Sequence, residues 1–394
     1  MEQNIHEHLF SLIRLAFSAG SEESANFNVE TAEEWSLLYS LATKLSVVGI
    51  AYAGICKLPK DQQPPLDLAF QWASEAEAIR GHNRIVNQEA AKLTELFKAQ
   101  GRRSAILKGA ANARLYPDAF IRQAGDIDIW VEGGRDSVVS LLQSLGMMKP
   151  EPSGSFFFSR GKSREELYAL ARERLSVSGH HVHLLQKTNG VNVEVHFKPS
   201  SGNLNPFTNK ALQRFLAQEM ENLEYVPEGF YVPSLKFAMA MQLSHIQRHF
   251  LSSGIGLKQI TDYYVLLMKA GDSERLEMSK NIRKFGFRRA ARALMWVLNH
   301  IYGLQRDYML CAPDERLGRQ MLAKILAGGN FGFFYSVKYR NFVTRWLGRR
   351  WNAIRFCPFS PTEMFWGEVA YWKLFASSIP VRIRLRKVSI RDLF

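Results

Sequence analysis

The sequence lacks the cysteine patterns that mark disulfide-stapled folds and zinc sites. Its 394 residues include three cysteines, which lie far apart and form no CxxC pair: Cys56, Cys311 and Cys357. A disulfide framework needs an even set of closely spaced cysteines, and a cysteine-based zinc site needs paired ligands. Both kinds of structure are therefore excluded.

Long apolar runs are also absent. No stretch of about 18 uncharged apolar residues, the length that spans a bilayer, occurs in the chain. The most hydrophobic late stretch, residues 364–380, contains Glu368 and Lys373, and the apolar patch near the N-terminus contains Arg14. That patch follows two acidic residues, unlike a signal peptide with a basic start. We therefore expect a protein without a transmembrane segment that resides in the cytoplasm.

Acidic residues are scarce at the C-terminal end. The formal net charge of the chain is +14, and residues 331–394 contain twelve Lys or Arg residues against three acids, so this last sixth holds nine of the fourteen net positive charges. Clustered positive charge attracts nucleic acid or anionic surfaces. We expect an anionic partner for this region.

Helical periodicity dominates both ends of the chain. Apolar residues recur at three- and four-residue intervals before residue 100, where a proline-rich break at 58–65 separates two helical groups. After Pro233 the pattern predicts helices over 235–250, 257–268 and 282–301, and an extended segment over 381–390. We predict an α/β (α+β) fold with an N-terminal helical region (1–100), a core with a small mixed sheet (101–200) and a C-terminal helical region with a basic tail (201–394).

A strand, a glycine turn and a short helix are predicted between residues 104 and 117. The strand ends at Lys108–Gly109, and a helix of about two turns follows until Pro117 stops it. The backbone amides of Gly109, Ala110 and Ala111 then point to the space above the helix start, where a phosphate is favoured. Gly109 has no Cβ to obstruct a close approach. The pattern predicts a phosphate-binding turn.

Two acids follow this turn. Asp126 and Asp128 lie two residues apart on a predicted strand, so both carboxylates leave one face while Ile127 and Ile129 enter the core. Two like charges at this separation are costly unless a cation shares them. Carboxylate oxygens suit Mg²⁺, which also takes substrate phosphates and serves in-line attack at phosphorus. By itself such a pair is common at strand ends, where it simply faces water.

A predicted hairpin supplies a third acid. If Asn189–Gly190 is a two-residue turn, strands over 180–186 and 191–197 pair so that Leu185 lies opposite Glu194 and His183 lies opposite His196. Glu194, His196, His183 and His181 then share one face, while Val193, Val195 and Phe197 fill the other. Glu194 is the only acid of the hairpin.

These motifs together carry a resemblance. Leu-Lys-Gly, a short helix to Tyr-Pro, Arg and then Gly-Asp-Ile-Asp-Ile, and later Val-Glu-Val-His-Phe are similar to the bacterial nucleotidyltransferases without assigned substrate, a family of the polymerase-β-like superfamily. Residues 245–249 and 256–262 also resemble that family, so the similarity covers roughly residues 30–270. One departure is Ala110 after Gly109, where the superfamily has Ser or Gly, so that only backbone amides are available to the phosphates.

The resemblance implies roles for particular residues. Residues 101–200 would be the catalytic core, with Asp126 and Asp128 as the metal-binding pair and Glu194 as the third carboxylate around Mg²⁺ or Mn²⁺. Residues expected to contact the nucleotide are Lys108, Gly109, Ala110, Arg122 and Gly125. Lys108 would neutralise a phosphate or only cap a strand at the surface. Arg122 would hold the triphosphate or the acceptor, or else pair with a nearby acid.

The implied activity is transfer of a nucleoside monophosphate from an NTP, expected to be ATP, to an acceptor, with release of pyrophosphate. The acceptor stays open among a small molecule, a protein and an RNA end. The alternative is a weakly active or inactive protein of this fold that binds nucleic acid or an anionic membrane through its basic C-terminal region. The complete set of three acids favours the enzyme.

Four histidines keep open roles. His183 and His196 would transfer protons, ligate metal or merely pack beside the site. His245 and His249 are one helical turn apart, a spacing able to bind zinc, but no Glu follows His245 as in metalloproteases. For this second pair we favour a structural or substrate-side role.

Overall fold

The computed structural model describes residues 2–18, 27–148, 177–184, 187–252, 254–329 and 342–384. The chain begins with helices, and a capping box in which Thr31 and Glu34 exchange hydrogen bonds starts the second of them. Pro65 precedes the longest helix, so the predicted proline-rich break is confirmed. The N-terminal helices are α1 (Glu2–Phe17), α2 (Ala32–Leu45), α3 (Val48–Ile55) and α4 (Leu66–Ala99).

A four-stranded mixed sheet follows. The described elements of this part of the chain are, in chain order, β1 (Ser104–Ile106), α5 (Ala110–Ala113), β2 (Ile127–Val131), α6 (Gly134–Ser144), β3 (His181–His183) and β4 (Val193–His196). The spatial order is β1-β2-β4-β3. The central pair β2 and β4 is parallel, and both outer pairs are antiparallel. A small mixed sheet between helical flanks confirms the predicted fold class.

The hairpin keeps its predicted turn but not its predicted register. Thr188 pairs with Val191 around Asn189–Gly190, as expected. Farther from the turn, however, His183 pairs with Glu194 and His181 with His196. The predicted register was wrong by two residues, because the first strand has two more residues than the second between these pairs. A slip of two preserves which face a side chain occupies, so the predicted shared face is retained.

Helices form most of the remaining chain. They are α7 (Pro206–Glu219), α8 (Leu235–Leu251), α9 (Leu257–Lys269), α10 (Asp272–Asn281), α11 (Arg288–Tyr302), α12 (Glu315–Gly328), α13 (Phe342–Phe356) and α14 (Pro361–Arg384), with a small ribbon of β5 (Glu224–Tyr225) and β6 (Tyr231–Val232).

Two C-terminal predictions need correction. The helix expected from residue 282 begins at Arg288, because Gly286 has a φ of 77° and interrupts the helical path. The extended segment expected over 381–390 is wrong for residues 381–384, which continue α14. Extending an existing helix adds one hydrogen bond per residue, which outweighs a brief alternation of apolar and basic residues. Residues 385–390 lie outside the described part of the chain.

The sheet separates an apolar face from a polar one. Ile127 and Ile129 of β2 pack with Val195 of β4 and with residues of α4 such as Val86 and Phe97. Fully burying such a side chain stabilises the fold by roughly 1.5–3 kcal/mol. The other face carries the acids and histidines, and α8 lies across from them. Among the described residues, no helix combines the length and apolarity needed to cross a membrane.

Candidate active site

Asp128 and Glu194 lie side by side on the two central strands. β2 and β4 run parallel with Asp128 aligned to Glu194, and aligned residues of neighbouring strands leave the same face about 4.8 Å apart. Asp128 is 1% exposed, whereas the side chain of Glu194 is 17% exposed. Oxygens of both carboxylates and a ring nitrogen of His196 lie within 4.8 Å of one another. Strand pairing therefore unites acids that are far apart in sequence.

Asp126 completes the group. It stands immediately before β2, two residues from Asp128, and lines the same cleft as Asp128 and Glu194. Its carboxylate is partly exposed and, within the described residues, has no hydrogen bond or ion pair. The three acids singled out in the sequence thus share one cleft.

Lys108 neutralises the deepest of these acids. Its Nζ lies 2.7 Å from Oδ2 of Asp128. Burial lowers the pKa of Lys108, but the carboxylates of Asp128 and Asp126 outweigh burial and raise it above the usual range. Burial likewise raises the pKa of Asp128, yet Lys108 and His196 outweigh that effect and hold it below its usual value. Both side chains are therefore charged.

His196 stands between the two aligned carboxylates. Its Nε2 lies 3.1 Å from Oδ1 of Asp128 and 3.5 Å from Oε2 of Glu194. Burial lowers the pKa of His196, but its hydrogen bonds to these carboxylates raise it overall. Burial raises the pKa of Glu194, but the hydrogen bond from His196 outweighs burial, so the pKa of Glu194 lies below its usual value. His196 fixes the relative position of the two acids.

Gly109 forms the predicted turn between β1 and α5, but the helix after it is shorter than predicted. Gly109 has φ 66° and ψ −104°, a region that residues with a Cβ rarely enter. The predicted two-turn helix was wrong, because α5 has four residues and tightens at its end through the bond from Leu115 N to Asn112 O. Ala111 N donates to Lys108 O at 3.4 Å. Among the described residues, the amides of Gly109 and Ala110 donate no backbone hydrogen bond.

Arg122 is engaged in a buried ion pair. Its Nε and Nη2 lie 2.6 and 2.8 Å from the two carboxylate oxygens of Asp262 on α9. Tyr116 donates its hydroxyl proton to the same carboxylate at 2.8 Å. The arrangement fastens the segment before β2 to α9. A contact between Arg122 and a triphosphate stays a prediction, as does one with the exposed Gly125.

Sequence reasoning missed Lys258. This lysine of α9 is 7% exposed, and its Nζ lies 3.8 Å from where a Cβ on Gly125 would stand. Within the described residues it forms no ion pair. Burial, and then the charge of Arg122, lower its pKa to about 8. The available signal was a lysine between Leu257 and Ile260 on the apolar side of a helix, where a cation is unusual.

Helix α8 forms the opposite wall of the cleft, which has a volume of about 280 Å³. His245, Arg248 and His249 line this wall, and the two imidazole rings lie 4.2 Å apart. Burial holds the pKa of His245 well below its usual value and, together with Lys108, lowers that of His249 to about 4. Neither belongs to a group of three metal-ligating residues in the described part of the chain. The pair is a neutral polar wall.

The side chains present fit a hard divalent cation. Carboxylate oxygens at one cleft are the donors that Mg²⁺ and Mn²⁺ prefer. Asp126 is partly exposed and forms no ion pair with a basic side chain among the described residues, so its oxygens are available to a metal ion. At Asp128 an entering cation would compete with the ammonium of Lys108 for Oδ2.

A comparison with protein families relates the chain to a known family. The profile described as an uncharacterised nucleotidyltransferase matches residues 31–303, which include the sheet, the glycine turn, the three acids and the wall formed by α8. No curated protein and no solved structure matches the chain.

Proposed function

We propose, since the chain belongs to the uncharacterised nucleotidyltransferase family, that it transfers a nucleoside monophosphate from an NTP to an acceptor and releases pyrophosphate. The observation that carries this proposal is the meeting of Asp126, Asp128 and Glu194 in one cleft beside Lys108. ATP is the proposed donor. The strand order and the placement of the glycine turn support a polymerase-β-like active site.

In this proposal Asp126, Asp128 and Glu194 hold Mg²⁺ or Mn²⁺. The metal supplies charge neutralisation at the phosphates and activation of the attacking oxygen. Asp126 is the first carboxylate that an incoming cation meets, because it is the more exposed of the two aspartates. His196 keeps Asp128 and Glu194 together before and after the reaction.

The triphosphate is bound by groups of the chain itself. The ammonium of Lys108 lies beside Asp128 in the cleft, and the amides of Gly109 and Ala110 follow it in the chain at the turn. These donors suit the β- and γ-phosphates. Lys258 adds a second buried positive charge behind Gly125. Two cations and two amides offset the negative charge that a triphosphate brings to an acidic cleft.

The transfer balances as an in-line displacement. An acceptor oxygen forms a bond to the α-phosphorus while the bond from that phosphorus to the bridging oxygen of the β-phosphate breaks. The electron pair leaves with pyrophosphate, and the proton of the acceptor passes to Glu194 and then to water. The polar wall of α8, with Arg248 at its centre, is the proposed place for the acceptor.

The test is labelling with NTPs that carry the label at the α-phosphate. Purified protein is incubated with each NTP, Mg²⁺ or Mn²⁺ and cell extract, and label transfer and pyrophosphate release are measured. Asp126→Asn should reduce both by about 100-fold or more, the loss expected when a transition-state charge partner is removed. The matched control is Asp136→Asn on α6, where the side chain is 93% exposed. Equal activity of the Asp126→Asn variant and the wild type would refute the proposal.

A second candidate is binding of an anionic partner by the C-terminal helices. Helix α13 exposes Leu347, Trp351 and Ile354, and its sequence also contains Arg350 and Arg355. Apolar and basic side chains together suit a nucleic acid or an anionic membrane. Binding that weakens steeply with salt, persists in Asp126→Asn and occurs without NTP turnover would favour this function over catalysis.

A further inference from the structure

We propose that His181, His183 and Glu194 form a binding site for a divalent transition metal. The two histidines are alternate residues of β3 and leave the same face of the sheet. β4 places Glu194 directly opposite His183. The role of this metal in nucleotidyl transfer rests on the proposed function, whereas the binding of metal does not.

The three side chains have nearly the spacing that one metal ion requires. Nδ1 of His183 lies 3.2 Å from Oε1 of Glu194, and Nε2 of His181 lies 3.7 Å from Oε2. His183 reaches Glu194 with Nδ1 but approaches His181 with Nε2, which lies 2.8 Å from Nε2 of His181, and a metal would take only one of these two nitrogens of His183. One ligand atom from each of the three residues lies within 4.8 Å of the other two. Ligand atoms bound at about 2.0–2.2 Å from one metal stand roughly 3–3.5 Å apart in octahedral or tetrahedral geometry. Small side-chain rotations therefore suffice.

A chain of contacts behind His181 orients its ring. Nδ1 of His181 lies 2.8 Å from Nε2 of His180, and Nδ1 of His180 lies 3.3 Å from Oγ of Ser178. If the His180 ring donates to Ser178, its Nε2 accepts the Nδ1 proton of His181. The lone pair of His181 is then on Nε2, the atom that faces Glu194. Histidines that ligate metals commonly donate their other ring proton to such a partner.

Exposure leaves room for further ligands. The side chain of His183 is 51% exposed, whereas those of His181 and Glu194 are 9% and 17% exposed. One ligand therefore lies at the opening to solvent and two lie deeper. A metal held by these three residues keeps coordination positions for water or an acceptor oxygen, as catalytic sites require.

The donor set selects the kind of metal. Two imidazole nitrogens and one carboxylate suit Zn²⁺, Mn²⁺, Fe²⁺ or Co²⁺, whereas Mg²⁺ prefers oxygen ligands. Asp126 and Asp128 offer only oxygens. Because Glu194 adjoins both donor sets, the protein would hold two chemically different metals that share this carboxylate.

A different arrangement would use the same contacts. His180, His181 and His183 could form a hydrogen-bonded row of imidazoles that binds no metal. The two arrangements differ in whether the wild-type protein takes up a metal, and in whether the exposed histidine contributes to its affinity.

Titration of the full chain with Co²⁺ and Zn²⁺ in the absence of nucleotide tests the site. Co²⁺ binding is followed by the visible absorption of nitrogen-coordinated cobalt, and Zn²⁺ binding by calorimetry. We expect one tight equivalent in the wild type and an affinity at least about tenfold lower in His183→Ala, at the low end of losses seen for altered metal sites. The matched control, His82→Ala on α4, should bind as the wild type does. Urea unfolding verifies that each variant is folded.

Each outcome of the metal titration tests the proposed metal site independently of NTP turnover. Tight binding that is weakened in His183→Ala supports the site even when no NTP turnover is found, which would count against the proposed function alone. Absence of tight Co²⁺ and Zn²⁺ binding in a wild type that turns over NTP with Mg²⁺ would overturn the site and leave the proposed function standing. Unchanged affinity in a folded His183→Ala variant would also overturn it, because the metal would then use other ligands.

Discussion

Replacing Lys258 with methionine should raise the free energy of unfolding. Burial lowers the pKa of this lysine from its ordinary value of 10.5 to about 8. At about 1.4 kcal/mol per pKa unit, the charged lysine costs the folded state about 3 kcal/mol at neutral pH. Methionine has a similar shape and no charge, so Lys258→Met should recover up to that amount.

The gain should depend on pH with a definite sign. A lysine whose pKa is lower in the folded protein binds fewer protons there, so wild-type stability rises as the pH increases from about 8 toward 10.5. The advantage of Lys258→Met should therefore shrink from about 3 kcal/mol at pH 7 to about 1 kcal/mol at pH 10. A merely better packed methionine would give the same advantage at both pH values.

Urea unfolding of both proteins at pH 7 and pH 10 measures the effect. Lys269→Met, an exposed lysine at the end of the same helix, is the matched control and should change stability by less than about 0.5 kcal/mol. Adding ATP and Mg²⁺ should stabilise the wild type more than Lys258→Met, because the triphosphate compensates the buried charge. A Lys258→Met variant that is less stable than the wild type at pH 7 would refute the reasoning.

Three further substitutions test the surroundings of the cleft. Gly109→Ala should lower the free energy of unfolding in urea by about 1–2 kcal/mol and should also lower NTP turnover. The new Cβ would make only an ordinary contact, so the loss of stability comes from backbone strain at a φ of 66°. Arg122→Met should destabilise by about 3–5 kcal/mol by leaving Asp262 charged and buried, and a double variant with Asp262→Leu should recover most of this loss. Asp128→Asn should leave the ammonium of Lys108 poorly compensated and lower the unfolding midpoint at pH 7, and the effect should be smaller in Asp126→Asn, because Asp128 is the carboxylate in direct contact with Lys108.

Local alternation predicted the strands of the sheet correctly, although the same kind of signal was misleading at residues 381–384, which are helical. The face shared by His181, His183 and Glu194 was predictable, since alternation along a strand survives a slip of two residues. The register of the hairpin was not predictable. It was counted outward from the Asn189–Gly190 turn, and the two extra residues of the first strand lie beyond that turn. The length of α5 escaped prediction for a similar reason, since Pro117 marks a limit for the helix but not its end.

The identity of the acid that pairs with Arg122 could not be predicted from one sequence. Arg122 lies 140 residues from Asp262, and nothing in either local pattern indicates the ion pair. The parallel pairing that brings Asp128 beside Glu194 also depends on a crossover that periodicity does not specify. Lys258 gave a weak signal, a charge among apolar residues, whose meaning depends on what the helix packs against.

The alignment of the two central strands has a consequence for how the protein must be handled. Asp128 and Glu194 become neighbours only when β2 and β4 pair in the register seen here. A slip of two residues would keep every apolar side chain on its proper side but move the carboxylates apart by roughly 6.6 Å along the strand. A preparation with this slipped register would have a normal circular dichroism spectrum and still contain molecules without activity. Specific activity should therefore be calculated per active site, not per total protein.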